Sequence, residues 1–172
     1  QPQRQAAAQL AEKGYRSETQ VLEAQANLDA AQASVRAAEI AGMAEEEARH
    51  RAQFDALMAR RGVRPTALTP LWSVAGYALG AATALIGPEA AMACTAAVEE
   101  EIDRHYSRQI DALEDSGADP ELAAMITDFR EDEREHRDAA LAAGAERAPG
   151  YPLLSGLIRL GCRAAIRLSE RV

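Results

Sequence analysis

The pattern Glu-x-x-His occurs twice in this chain. It appears as Glu47 and His50 within Glu45-Glu46-Glu47-Ala48-Arg49-His50, and as Glu133 and His136 within Glu131-Asp132-Glu133-Arg134-Glu135-His136. On an α-helix, residues three apart lie on one face, about one turn apart. A carboxylate and an imidazole so placed converge on one point. Two such motifs on separate helices restrict the chain to folds that can bring two helical faces together.

Composition agrees with a helical chain. There are 40 alanines among 172 residues, and β-branched residues are few. That balance favours helices over a sandwich or barrel. One domain spanning 1–172 is the expectation at this length, with enough chain to bury a core. The net charge of -8 disfavours a general nucleic-acid binder, which needs a basic face against phosphates. Cys94 and Cys162 are too far apart in sequence for a zinc-finger spacing and too few for a disulfide scaffold, so they read as small buried thiols. The first residues, QPQRQAAAQLAEKG, lack the apolar core of a signal peptide.

The first 40 residues are polar and alanine-rich. Gly14, Val21, Leu28 and Val35 recur every seven, with Ser17, Ala24, Ala31 and Ala38 between them. This thin a/d seam predicts a helix, or a helical hairpin turning near Asn27 to Ser34. A second helix is expected from about Ile40 to Arg61, with Phe54, Leu57 and Met58 on its apolar stripe. Gly62 to Pro70 reads as a loop. The run from Pro65 to Pro88 carries no charge. Its helical part, Leu71 to Ile86, is about 24 Å long at 1.5 Å per residue, short of a roughly 30 Å hydrocarbon core. It reads as a helix lying on a membrane surface, packed on a partner, or buried in the protein's own core. Gly76 and Gly80 form a GxxxG that permits close backbone approach. A long helix follows from Glu89 to about Leu113. The stretch Glu114 to Asp119 breaks it. Asp119 is a good N-cap and Pro120 sits at N1 of a helix reaching about Ala143. Gly144 to Gly150 is a loop, and Pro152 opens a last helix reaching almost to Val172. No segment reads as a strand.

In ferritin-like di-iron bundles, two helices each supply Glu-x-x-His and two others each supply one Glu. Mixed carboxylate and imidazole ligation suits iron or manganese better than soft metals. The helix between the motifs offers Glu99, beside a stripe of Thr95, Val98 and Ile102 taken as the buried side. Glu101 falls toward solvent on that reading. His105 is near enough in rotation to Glu99 to approach the same site.

These residues resemble the demethoxyubiquinone hydroxylases of the Coq7 type. The resemblance covers about residues 41–172, through EEEARHRAQFDALMARRGVRPTALTPLWSVAGYALGAATALIG, AAMACTAAVEEEIDRHYSRQIDAL, ITDFREDEREH and APGYPLLSGLIRLGCRAAIRLSERV. It implies an all-α, ferritin-like four-helix bundle with additional hydrophobic helices on the membrane surface. It implies two iron ions and O2 as co-substrate in hydroxylation of a demethoxyubiquinol-type ring, in ubiquinone biosynthesis. The implied metal ligands are Glu47, His50, Glu99, Glu133 and His136. His105 and Tyr106 match the family's HY pair beside the metal, with roles in hydrogen bonding or in proton and electron movement. The implied partners are a quinone or quinol substrate, the membrane surface, and further copies of the chain or a biosynthetic partner. The implied location is peripheral, on the cytoplasmic face of a bacterial inner membrane. No Gly-x-Gly-x-x-Gly follows a strand. Reducing equivalents therefore come from the quinol itself, from directly bound NADH, or from a partner.

The resemblance fails at the start of the chain. The family's first helix carries an AGEYGA-like motif whose Glu is the remaining ligand, and here that motif is absent. Residues 13–39 are instead similar to the coiled-coil hairpin of membrane-fusion adaptor proteins. If the hairpin turns near residues 29 to 34, Glu18 is the preferred substitute ligand, because it flanks the a/d seam, Glu12 is next, and a site with neither is the third alternative. A second departure is Arg167, where an aromatic residue is expected before the closing Leu-Ser-Glu-Arg. The competing reading is a non-enzymatic helical adaptor built on residues 1–40, or another ferritin-like iron or peroxide protein.

Overall fold

The computed structural model describes the backbone of residues 2–171 and the side chains of 21–171, apart from those of 29, 32, 33, 35 and 36. The described residues are almost wholly helical and contain no strand. Five α-helices run in order: α1 (Pro2–Arg61), α2 (Thr69–Ile86), α3 (Pro88–Ser116), α4 (Pro120–Ala142) and α5 (Tyr151–Ser169). A 3-10 turn, Ala145–Arg147, joins α4 to α5. The contacts divide the chain into two units, Gln1–Gly42 and Met43–Val172.

The first unit is helical throughout its described backbone. Helix α1 continues through 27–34, so the hairpin turn expected there does not form. Residues 27–34 contain neither Gly nor Pro, and alanines favour continuation. Val21, Leu22 and Leu28 are exposed.

The second unit is organised around α3, which packs against α2, α4, α5 and the 3-10 turn. Small side chains make this central position possible. Ala90, Ala93 and Ala96 of α3 meet Ala140 of α4 and Ala145 and Ala148 beyond it, with Leu141, Tyr151 and Leu154 packed around them. On its other flank Cys94 and Ala97 meet Ile158 of α5. Cys94 is buried as expected, whereas Cys162 is only partly so, and both are free thiols.

The breaks between helices follow their local chemistry. Gly117 adopts φ 60°, a left-handed conformation that glycine reaches without strain, and ends α3. Asp119 caps α4, its carboxylate accepting from the Leu122 N–H at 3.1 Å. The same carboxylate pairs with Arg61, and Arg60 reaches Glu121, so the end of α1 is tied to the start of α4. Arg61 and the Leu122 N–H together hold the Asp119 carboxyl below its ordinary value.

Helix α2 lies on α3 by a narrow line. Thr83 is its one buried residue, and Trp72 donates Nε1–H to Ser169 Oγ of α5 at 2.8 Å. Leu71, Val74, Tyr77, Leu85 and Ile86 face outward. By length and composition α2 could cross a membrane. The GxxxG does no packing among the described residues, since a Cβ added at Gly76 or Gly80 meets none of them within 4 Å. Helix α5 has two apolar faces: Ser155 and Ile158 turn inward, while Leu153, Leu157 and Leu160 turn outward.

Candidate metal centre

Helix α1 presents Glu46, Glu47 and His50, α4 presents Asp132, Glu133 and His136, and α3 places Glu99 between them. One ligand atom from each of Glu47, Glu99, Glu133 and His136 lies within 4.8 Å of all the others. Glu99, Glu133 and His136 are buried, whereas Glu47 is exposed. His50 joins them: it is buried, and its Nδ1 stands 3.4 Å from Glu133 Oε1. The five residues singled out by spacing and resemblance are therefore side by side.

The two histidines are held in the same way by reciprocal partners. His50 Nε2 lies 2.9 Å from Asp132 Oδ2 on the opposite motif. His136 Nε2 lies 2.6 Å from Glu46 Oε2, again on the opposite motif. A carboxylate can only accept, so each Nε2 is assigned its proton from this bond. Each Nδ1 is then left with a lone pair directed at carboxylates: Glu133 for His50, and Glu47 at 3.7 Å with Glu133 at 3.5 Å for His136. Burial pushes the Asp132 carboxyl up. The His50 hydrogen bond and the Arg49 charge more than offset this and hold it below its ordinary value.

The buried carboxylates carry the opposite shift. Desolvation raises Glu133 to about 9, with further upward pressure from Glu99 and Glu47. Desolvation also raises Glu99 to about 7, although its hydrogen bond with Glu133 works the other way. Two carboxylates in hydrogen-bond contact need a proton between them, and Glu133 is the one that holds it. Glu133 Oε2, Glu99 Oε2 and His50 Nδ1 are buried atoms without a partner. Lone pairs left facing one another in a buried site are costly unless a cation or protons sit among them. The donor set is mixed oxygen and imidazole nitrogen, which fits a hard or borderline divalent cation.

The HY pair divides between two sites. Tyr106 faces the carboxylates: its hydroxyl is pushed up first by burial and then by Glu133, Glu47 and Glu99. His105 has Arg108 and Glu170 as its charged neighbours, and burial pushes it down. It lines a cavity of about 400 Å³ with Thr66, Trp72, Ala165, Ile166, Ser169 and Glu170. The expectation that Glu101 faces solvent is corrected. Glu101 is 2% exposed, because Arg104 and Arg163 of α5 close over it. The stripe of Thr95, Val98 and Ile102 is only half-buried, since α3 is covered on several sides and its fully buried residues, Ala93, Ala96 and Ala97 among them, lie on the neighbouring faces. The side chains of Glu18 and Glu12 lie outside the described residues, and the turn that either needed to come level with Glu47 does not form, since α1 is continuous through 27–34.

Spacing alone missed Glu46 and Asp132. The signal was present: each motif has a carboxylate immediately before its Glu. It also missed Phe129, which stacks on the His50 ring with centroids 4.0 Å apart. Loss of such outer partners typically lowers metal affinity by roughly 10–100-fold. Asp132→Ala is expected to weaken metal binding by about that factor and Glu46→Ala by a comparable one, read by competition with a chelator. Equal affinity in both variants and the parent would remove these carboxylates from the site.

An all-α protein whose helices bring two Glu-x-x-His motifs and a lone Glu together has the make-up of the ferritin-like carboxylate–histidine bundles. Comparison with known proteins narrows this class. The family model described as "Ubiquinone biosynthesis protein COQ7" matches residues 11–169, and the chain belongs to that family. It is 55% identical over 130 residues to a 3-demethoxyubiquinol 3-hydroxylase of Rhodospirillum rubrum, covering 76% of this chain and 60% of that protein. It is 52% identical over 132 residues to the human NADPH-dependent 3-demethoxyubiquinone 3-hydroxylase, mitochondrial, covering 76% and 61%. With the 5-demethoxyubiquinone hydroxylase, mitochondrial, of Saccharomyces cerevisiae it shares 40% over 141 residues, covering 74% and 60%. The chain thus spans about 60% of the length of these curated relatives.

Proposed function

We propose that this chain carries the catalytic centre of an O2-dependent di-iron hydroxylase acting on a demethoxyubiquinol-type ring in ubiquinone biosynthesis. The observation that supports it most is the set of buried, unpartnered donor atoms on His50, Glu99 and Glu133, aimed into one group with Glu47 and His136. In this reading those five residues hold two irons. When bound, the iron pair supplies the reduction of O2 that ring hydroxylation needs.

The remaining residues bind, orient and protect. Asp132 and Glu46 keep the Nε2 protons in place and so turn each Nδ1 inward. Tyr106 stays a neutral phenol beside the carboxylates and keeps its proton on Oη. His105, which burial and Arg108 push down against the pull of Glu170, can hydrogen-bond a ring oxygen in the cavity walled by Trp72 and Ile166. The bond from Trp72 to Ser169 fixes that wall. Reducing equivalents come from the quinol, from NADH or from a partner; the names of the human relative and others state NADPH dependence for those proteins.

The outward leucines of α5 and the exposed side of α2 support peripheral attachment to a membrane, which we place at the cytoplasmic face of a bacterial inner membrane. Full burial of a leucine contributes about 1.5–3 kcal/mol. Leu157→Ser together with Leu160→Ser is therefore expected to weaken vesicle binding by roughly tenfold or more, measured by co-sedimentation.

The test of the hydroxylase reading is anaerobic iron reconstitution followed by metal analysis and turnover of a short-chain demethoxyquinol. About two irons per chain and O2-dependent ring hydroxylation are expected. A chain that takes up no iron anaerobically overturns the reading. A second reading, a helical adaptor role for the first unit, is favoured by the exposure of Val21, Leu22 and Leu28.

A further inference from the structure

Arg108 of α3 and Arg163 and Arg167 of α5 line a second cavity, of about 290 Å³, with Ile166 and Glu170. The chain as a whole is acidic, at -8, so a cavity carrying three guanidiniums and one carboxylate stands out. Its charge is not cancelled by neighbours. Arg163 is pinned through Nε to the buried Glu101 at 3.0 Å, but Glu101 is also paired with Arg104. Arg104 and Arg159 in turn converge on Glu100. Five guanidiniums therefore meet three carboxylates here. Among the described residues, no carboxylate lies within ion-pair distance of Arg108 or Arg167. The one carboxylate in the cavity, Glu170, approaches His105 instead, at 4.0 Å from Nδ1.

The setting of the cavity selects the anion. Arg163 and Arg167 are one turn apart on α5, and Arg167 follows Leu160 by seven residues, on nearly the same face. Leu160 is 62% exposed, and Leu153, Leu157 and Leu168 extend the apolar outer surface of the same helix. An outward apolar stripe bordered by guanidiniums matches a bilayer boundary, with side chains in the acyl region and cations among headgroup phosphates. Arg163, held by Glu101, presents its free Nη groups with little rotamer freedom left to lose, and guanidiniums bind phosphate oxygens in a planar, two-pronged way. Arg167 is also the residue at which the closing segment departs from the aromatic expected there.

We propose that Arg108, Arg163 and Arg167 form a binding site for the phosphate of an anionic phospholipid headgroup, at the edge of the outward leucine face of α5. The site gives the protein a preference for anionic over zwitterionic membrane. This inference rests on the peripheral-membrane reading given above.

The test uses the full chain, with vesicles of phosphatidylcholine alone and of phosphatidylcholine mixed with phosphatidylglycerol, read by co-sedimentation. Each arginine near an anionic surface strengthens binding several-fold. The parent is expected to prefer the anionic vesicles by roughly tenfold. Arg108→Gln with Arg167→Gln should lose that preference while still binding phosphatidylcholine and keeping the parent's melting temperature. Arg51→Gln with Arg147→Gln removes the same charge elsewhere and should keep the preference. If the two double variants behave alike, general surface charge accounts for the effect and the site is overturned. If the parent binds both vesicles equally, the headgroup site falls and the membrane reading stands. If it binds neither, both fall. Inorganic pyrophosphate, added without vesicles, provides the remaining arm. If it raises the melting temperature of the parent but not of the Arg108/Arg167 variant, and no vesicle preference is seen, the occupant is a soluble phosphate compound and the lipid assignment is overturned.

Discussion

Glu133→Gln is expected to abolish metal uptake while making the metal-free protein more stable at alkaline pH. Both effects come from one buried carboxyl. Glu133 is 1% exposed and stands against Glu99, His50 and His136. As a proposed ligand it faces both histidines, so its loss should cost more than the roughly 10–100-fold typical of an outer partner. The stability effect follows from its raised value, about 9, and that of Glu99, about 7. The folded chain holds these protons at pH values where the unfolded chain has released them. A group with a raised folded value stabilises fully below its unfolded value, and that contribution is lost as pH rises through the folded value. The metal-free parent should therefore lose melting temperature from about pH 5 to about pH 9. The glutamine variant cannot lose the proton, so its curve should be flatter and higher at the alkaline end. Bound metal should flatten the parent's curve too, because cations replace protons among the carboxylates. Thermal denaturation across pH, with and without iron, checks all three curves. A variant that melts below the parent at alkaline pH would show that this carboxyl is not strained.

Phe129→Ala is expected to destabilise the protein by about 3–5 kcal/mol and to loosen the metal centre with it. Phe129 is completely buried. Its ring stacks on His50 at 4.0 Å and meets Phe54 edge-on at 5.2 Å, so it joins α4 to α1 beside the site. Truncation leaves a cavity against the imidazole and removes a wall that fixes the ring plane. Phe129→Leu separates the two roles. It restores most of the volume, which should hold the loss of stability below about 1.5 kcal/mol. It does not restore the stack, so metal affinity should remain reduced. Chemical denaturation and chelator competition on the two variants give the comparison.

The helices were largely legible because their boundaries rest on local chemistry. Asp119 before Pro120, and Gly117 ahead of them, announce the break between α3 and α4 through capping and turn preferences that need no tertiary context. The motif residues were legible for a similar reason: helical spacing fixes which side chains share a face. What depends on neighbours was not. Glu101 is covered by Arg163 of α5 as well as by Arg104, and nothing near Glu101 in sequence announces the helix that carries Arg163. The split between His105 and Tyr106 has the same origin. Adjacent residues on a helix point about 100° apart, and on a helix packed on several sides each can meet a different environment. The hairpin expected in α1 failed because a heptad seam states that a helix has an apolar edge. It does not state whether the covering partner is the same chain.

The cross-bracing of the histidines bears on the order in which the protein is made. Asp132 steadies His50 and Glu46 steadies His136. The earlier motif leaves the ribosome when the later one has not yet been translated. Until α4 emerges, His50 has no partner to fix its tautomer, and Glu47 has no facing carboxylate or imidazole from that helix. A nascent or truncated chain ending before Asp132 therefore displays His50 without its Asp132 and Glu133 partners and lacks His136 altogether. Assembly of these side chains therefore waits for the synthesis of α4.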